Sequence, residues 1–214
     1  MQYMLDLISA FLMGASLLLI IFSVMLRGQE ASIGVTQHAA ARQGVATLAQ
    51  MLEQDLNNIG ARQPDNDLAI THLALDTSAA APYYLAFWSV PDTTGQARLT
   101  CYYWEPDDSV AVYVGNVLQY RPTYRVERRL GPRPPNGSTC PNWAPAGFGP
   151  GTLTHFHIEL RDAQDNPILD LAGADQTRRI RVEAEAVSPL GPSRLIEAAR
   201  WQATLAPPNL NRTD

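Results

Sequence analysis

The chain has 214 residues and a formal charge of −5, and all 16 of its basic residues are Arg. That length leaves room for one domain of ordinary size beside a membrane segment. An acidic balance with only 17% charged residues excludes a general nucleic-acid coat, which needs a basic surface.

Residues 7–26 form an uncharged apolar run without Pro, preceded by Asp6 and closed by Arg27. A helix rising about 1.5 Å per residue needs roughly 20 residues to cross a ~30 Å hydrocarbon core. The run is too long for the apolar stretch of a cleavable signal, and no Ala-x-Ala-like site follows it. It therefore predicts one membrane helix over residues 1–27. Ala10 and Gly14 form a small-x-x-x-small pair that lets helices approach closely. Asp6 at the mouth of the run is costly near lipid, which marks it as functional. The alternative reading is an interfacial acid that caps the helix and complements its dipole. Arg27 alone, by the positive-inside tendency, would leave the C-terminal part in the cytoplasm. The cysteine pair favours export.

Helix-compatible sequence continues over residues 28–60. Val45, Leu48, Met51, Leu52, Leu56 and Ile59 recur at helical spacing, and Gly60 supplies a stop. Gly28, Gly34 and Gly44 each weaken a helix by about 1 kcal/mol, which predicts a bend or a melted turn near 28–34. A continuous rod would be roughly 80 Å long.

From residue 61 to 214 the pattern is that of a β-rich globular domain. Candidate strands are 68–75, 83–90, 97–104, 110–114, 117–126, 153–161, 178–187 and 195–205. The clearest places Ile180, Val182, Ala184 and Ala186 on one face and alternates Arg with Glu on the other, a half-buried antiparallel strand. Turn chemistry separates them at 91–95, 106–108, 162–167 and 189–192. Residues 131–151 read as a long Pro/Gly-rich loop holding Cys140. A disulfide between Cys101 and Cys140 suits an oxidising compartment and would contribute roughly 4 kcal/mol by loop closure. Two unrelated buried thiols are the alternative.

The order of elements, an apolar then amphipathic helix on an antiparallel sheet, is an α+β arrangement that resembles type IV pilin-like proteins. The stretch Leu5-Asp6-Leu7-Ile8-Ser9-Ala10-Phe11-Leu12-Met13-Gly14-Ala15 is similar to the pilin N-terminal core, with Asp6 in the position of the family's glutamate. The segment from Ala46 through Leu52, Asp55, Leu56 and Ile59 to Gly60 resembles the helix end of J-type pseudopilins and W-type minor pilins. The late strand Arg178-Arg179-Ile180-Arg181-Val182 and the close on Asn209-Leu-Asn211 are similar too. Met1 stands where the family's precursors carry the Gly before the cleaved bond, so either the leader is missing from this chain or this is a leaderless relative.

The resemblance implies a non-enzymatic minor pilin or pseudopilin, without cofactor, stored in membrane lipid and partnered by other pilin-like subunits. Asp6, Ala10 and Gly14 would be assembly residues, Asp6 pairing with a neighbour's N-terminal amine. The implied location is the bacterial inner membrane, single-pass, with the ectodomain in the periplasm or on the cell surface. The competing reading is a single-pass membrane protein whose β-rich ectodomain binds a ligand or surface by itself.

Other chemistry is weaker. His155, His157 and Glu159 share a strand face and could hold zinc or iron, but a complete site needs further ligands, so no metal is expected. Asp162, Asp165, Asp170 and Asp175 surround a turn without EF-hand spacing. Tyr120, Arg121, Tyr124, Arg125, Arg128, Arg129 and Arg133 interleave aromatics with Arg. That is the composition of a single-strand groove, and equally of a charged, wetted strand edge. Trp88, Trp104, Trp143 and Trp201 read as core of the sheet.

Overall fold

The computed structural model describes residues 2–63, 67–75, 81–90, 95–114, 117–131, 140–188 and 198–211. The turns expected at 91–95 and 189–192, much of the 131–151 loop with Arg133, and the first residues of the 195–205 strand lie outside the described residues, wholly or in part.

One helix, α1, runs unbroken over Gln2–Asn57, about 84 Å at 1.5 Å per residue. The melted turn expected as the alternative to a bend near 28–34 does not occur, since the helix is continuous through it. Glycine weakens a helix by entropy but removes no hydrogen bond, and long neighbours on both sides propagate the ladder through it. At the C-terminal end the last turns tighten, with Asn58 N donating to Asp55 O (3.1 Å) and Ala61 N to Asn58 O (3.0 Å). Gly60 then turns the chain at φ +74 and donates its N–H to Trp88 O at 2.7 Å. The expected stop is thus also a tie to the domain.

Among the described residues nine antiparallel strands follow: β1 (Ile70–Ala74), β2 (Tyr83–Ser89), β3 (Arg98–Val114), β4 (Val117–Leu130), β5 (Ala144–Phe148), β6 (Leu153–Arg161), β7 (Pro167–Ile168), β8 (Arg179–Val187) and β9 (Ala198–Leu205). They divide into two sheets rather than one, ordered β1-β2-β3-β4-β5 and β7-β6-β8-β9.

The strands expected at 97–104 and 110–114 are a single long β3. Pro106, Asp107 and Asp108 do not turn the chain. They are absorbed as a register shift between Pro106 and Ser109, where Asp108 accepts from Ser109 N at 2.7 Å. A Pro is tolerable at such a bulge because it removes no ladder bond there. β5 lies inside the segment read as loop. Its Ala-Pro-Ala-Gly-Phe sequence carries no period-two signal, and it is a strand because β4 offers a free edge beside it.

The expected alternation in the second sheet is present: Phe156, Ile158 and Leu160 of β6 and Ile180, Val182, Ala184 and Ala186 of β8 are buried. They join Val45, Leu48, Leu52, Leu56 and Ile59 of α1 with Phe87, Tyr102, Trp104 and Val126 of the first sheet in one core. The helix is the element that both sheets share.

A second, smaller core lies on the other face of β2 and β3, formed by Ala86, Trp88, Leu99, Cys101, Tyr103, Cys140 and Trp143. β3 alternates between the two cores, so this part of the first sheet is buried on both sides.

Gly44 and Gly28 have opposite surroundings. A Cβ at Gly44 would sit 2.8 Å from Pro150 Cβ, against a rigid ring, whereas Gly28 has nothing within 4 Å. Gly44→Ala should therefore destabilise the domain by about 1–3 kcal/mol despite the better helix former, since the core is overpacked. Gly28→Ala should gain about 1 kcal/mol of helix stability. Denaturant midpoints of the two variants, measured side by side, would differ in sign from wild type.

Candidate assembly surface

The helix has two regimes along one axis. Through residue 33 almost every position is exposed, and Phe11 is 76% accessible. From Ala41 onward one stripe is buried in the domain. An 18-residue window of the exposed part has a mean hydropathy of 2.5 with none of it buried. A soluble protein's core helix would hide such a run. A contiguous apolar surface this large marks a contact with lipid or with another protein. α1 is the one helix among the described residues long and apolar enough to cross a membrane.

The polar groups inside the apolar run are satisfied within the helix. Ser9, Ser16 and Ser23 donate to the carbonyls of Asp6, Met13 and Ile20 at 2.9, 2.9 and 2.8 Å. Each hydroxyl can therefore enter hydrocarbon without an orphan donor.

Asp6 lies on this segment, exposed, with its backbone carbonyl taken by Ser9. Among the described residues α1 is already helical at Gln2 and has no acid in its first turn, so Asp6 stands within the helix. A Cβ at Gly14 would meet nothing within 4 Å, so nothing inside the chain requires glycine at that position. At about 100° per residue, Ala10 and Gly14 face roughly 140° away from the stripe that seats the helix in the domain. The close-approach pair is thus turned away from the molecule's own head and open to a neighbour.

What holds the rod to the head is a buried polar cluster. Asp55 is 2% exposed, between Leu52 and Leu56 on the inner stripe. It accepts from Tyr102 Oη at 2.8 Å, from Arg128 Nε at 2.5 Å and from Arg128 Nη2 at 3.1 Å. One helix residue is thereby bonded to β3 and β4 together. Burial opposes the Arg128 cation, but the hydrogen bond and charge of Asp55 outweigh it and raise the guanidinium's pKa. Burial first, then the Asp55 charge and hydrogen bond, push the Tyr102 hydroxyl well above its ordinary 10.0. The sequence phrase contained Asp55 without revealing this role. The available signal was a carboxylate at a position whose helical neighbours are all core.

Cys101 and Cys140 are joined, with Cα atoms 6.0 Å apart, and both are fully buried. The bond ties the Cys140–Asn142 turn and Trp143 over the outer face of β3.

His155, His157 and Glu159 share an outer face but do not converge. Glu159 is committed to Arg161 Nη2 at 2.9 Å, and His155 Nε2 lies 3.4 Å from Glu183 Oε2. His157 is held below its ordinary 6.5, chiefly by burial. Among the described residues no group of three or more His, Cys, Asp or Glu is set to hold a metal.

Of the acids at 162–175, Asp162 and Asp170 bond backbone amides, and Asp165 pairs with Arg161 at 2.7 Å. Asp162 accepts from Gln164 N and Asn166 N, and Asp170 caps the short turn Leu171–Gln176 by accepting from Gly173 N at 3.0 Å.

The Arg/Tyr run is equally committed. Arg125 pairs with Glu105, Arg128 with Asp55, Arg129 with Glu127, and Arg121 with Glu185 at 3.7 Å. Arg129 also lies 4.1 Å from the Tyr103 ring centre. These guanidiniums neutralise neighbouring carboxylates, and no uncompensated basic groove remains along the described part of the run.

No family model, curated protein or solved structure matches the chain.

Proposed function

We propose that the chain is a structural, non-enzymatic subunit of a type IV pilus-like or type II secretion pseudopilus filament, a minor pilin or pseudopilin. The observation that carries this reading is the unbroken helix, buried in its own head only from Ala41 onward and apolar and exposed before that. In lipid the exposed half anchors the subunit in the bacterial inner membrane, with the head on the periplasmic side or the cell surface. In a filament the same half packs against sister helices.

Asp6 pairs there with a neighbour's N-terminal amine. Breaking one side of such a buried pair costs about 3–5 kcal/mol, so the pair sets axial register rather than adding bulk stability. Ala10 and Gly14, facing away from the head, let a neighbouring helix come close.

Asp6→Ala should abolish co-assembly with other pilin-like subunits while leaving the head's thermal unfolding unchanged. Gly14→Leu should do the same through size rather than charge, although leucine is the better helix former. Both are read by co-purification of filament subunits from membranes. Full assembly in both variants would leave the competing reading, a membrane-anchored binding module acting alone.

A further inference from the structure

We infer that a polar cleft at the pole of the head, where α1 ends, is a binding site for a neutral saccharide. The cleft holds about 320 Å³, the small end of ligand pockets, which run ~300–1,000 Å³. Three segments distant in sequence build it: the chain after α1 with Gln63 and Asp67, the turn before β8 with Asp175, Gln176 and Arg178, and the C-terminal turn with Asn209. It lies past Gly60, so counting from Arg27 along the helix it is roughly 50 Å from the lipid exit. Assembly through the first half of α1 leaves this pole uncovered.

The chemistry of the lining selects the ligand class. Arg178 is held in place by Nη1 donating to the carbonyls of Asp175 at 3.1 Å and Thr177 at 2.9 Å. Gln63 donates to the Asp67 carbonyl at 3.3 Å. The carboxylates of Asp67 and Asp175 and the amides of Gln176 and Asn209 make no hydrogen bond or ion pair among the described residues. An anion would meet two carboxylates, and a cation would meet the guanidinium. A sugar presents hydroxyls that donate and accept at short spacing, so it can use the carboxylates, the amides and the guanidinium together. Leu68 and Leu210 supply an apolar edge for its C–H face.

The test uses the full-length chain in a detergent without a sugar headgroup and a panel of neutral mono- and disaccharides, read by saturation-transfer difference NMR. At least one sugar should give a signal that falls tenfold or more in Asp67→Ala and in Gln176→Ala, both exposed positions. The signal should persist in Asp6→Ala, because the cleft is independent of assembly. Absence of signal from every sugar, an undiminished signal in both cleft variants, or binding only by an oligolysine peptide or inorganic phosphate would overturn the assignment.

Discussion

Asp55→Ala should destabilise the head by about 3–5 kcal/mol, because it removes the carboxylate that a largely buried guanidinium and a buried phenol share. Arg128 is 12% exposed at its side chain, so water replaces only part of the lost charge pairing. The loss should not depend on charge as such. A triple replacement, Asp55→Leu with Arg128→Met and Tyr102→Phe, should recover most of it, since well-packed apolar groups commonly equal a buried ion pair in stability. Equilibrium denaturation of the three proteins measures this directly. A single variant as stable as wild type would show that the helix is held by its leucines alone.

The same cluster predicts the alkaline limb of stability. Tyr102 has a folded-state pKa raised above its unfolded value, so its contribution is whole below pH ~10 and is lost as pH rises toward the folded value. Tyr103 is also raised, to about 12, by burial and by its hydrogen bond to Glu105. Its partner Glu105 is 28% exposed at the side chain, so solvent screens the pair and Tyr103 should contribute less to the slope. Melting temperatures between pH 9 and 11 should fall in wild type and fall less steeply in Tyr102→Phe.

Removing the disulfide with Cys101→Ala and Cys140→Ala should cost about 4 kcal/mol, the loop-closure entropy for a 39-residue separation. For a domain of this size that is roughly 8–16 °C in Tm. The effect has a local signature as well. Cys140 pins Trp143 against Leu99 and Trp88 in the smaller core, so losing the bond should expose Trp143 and red-shift its emission before the main core melts. A Tm unchanged in the double variant would mean that packing alone fixes this turn.

Much of the fold was legible because its signals are local. The apolar run, the i, i+3, i+4 stripe ending at Gly60 and the alternation in β6 and β8 each follow from burying one face of a regular element. The misreadings share a cause. Pro106-Asp-Asp has the composition of a turn, and only a partner strand that tolerates a bulge keeps β3 straight through it. β5 has the composition of a loop, and only the free edge of β4 makes it a strand.

The candidate residues divide in the same way. Asp6, Ala10 and Gly14 stand out in sequence because a polar or minimal side chain in an apolar run is locally anomalous. His155, His157 and Glu159 also stood out, but Arg161, two residues along the same strand, claims Glu159, and the cross-strand Glu183 lies beside His155.

By itself, then, the order of side chains determined the two-part rod, its membrane-length exposed half and the faces of the outer strands, since each depends on neighbours within a few positions. Tertiary structure alone decided that Gly44 is needed for Pro150. It decided that the strands form two sheets around one helix, and that Asp55 is the bolt between helix and head. Those outcomes depend on groups tens of residues apart meeting in a dry interior, where an unpaired charge or a surplus methyl costs several kcal/mol and a local preference only about one.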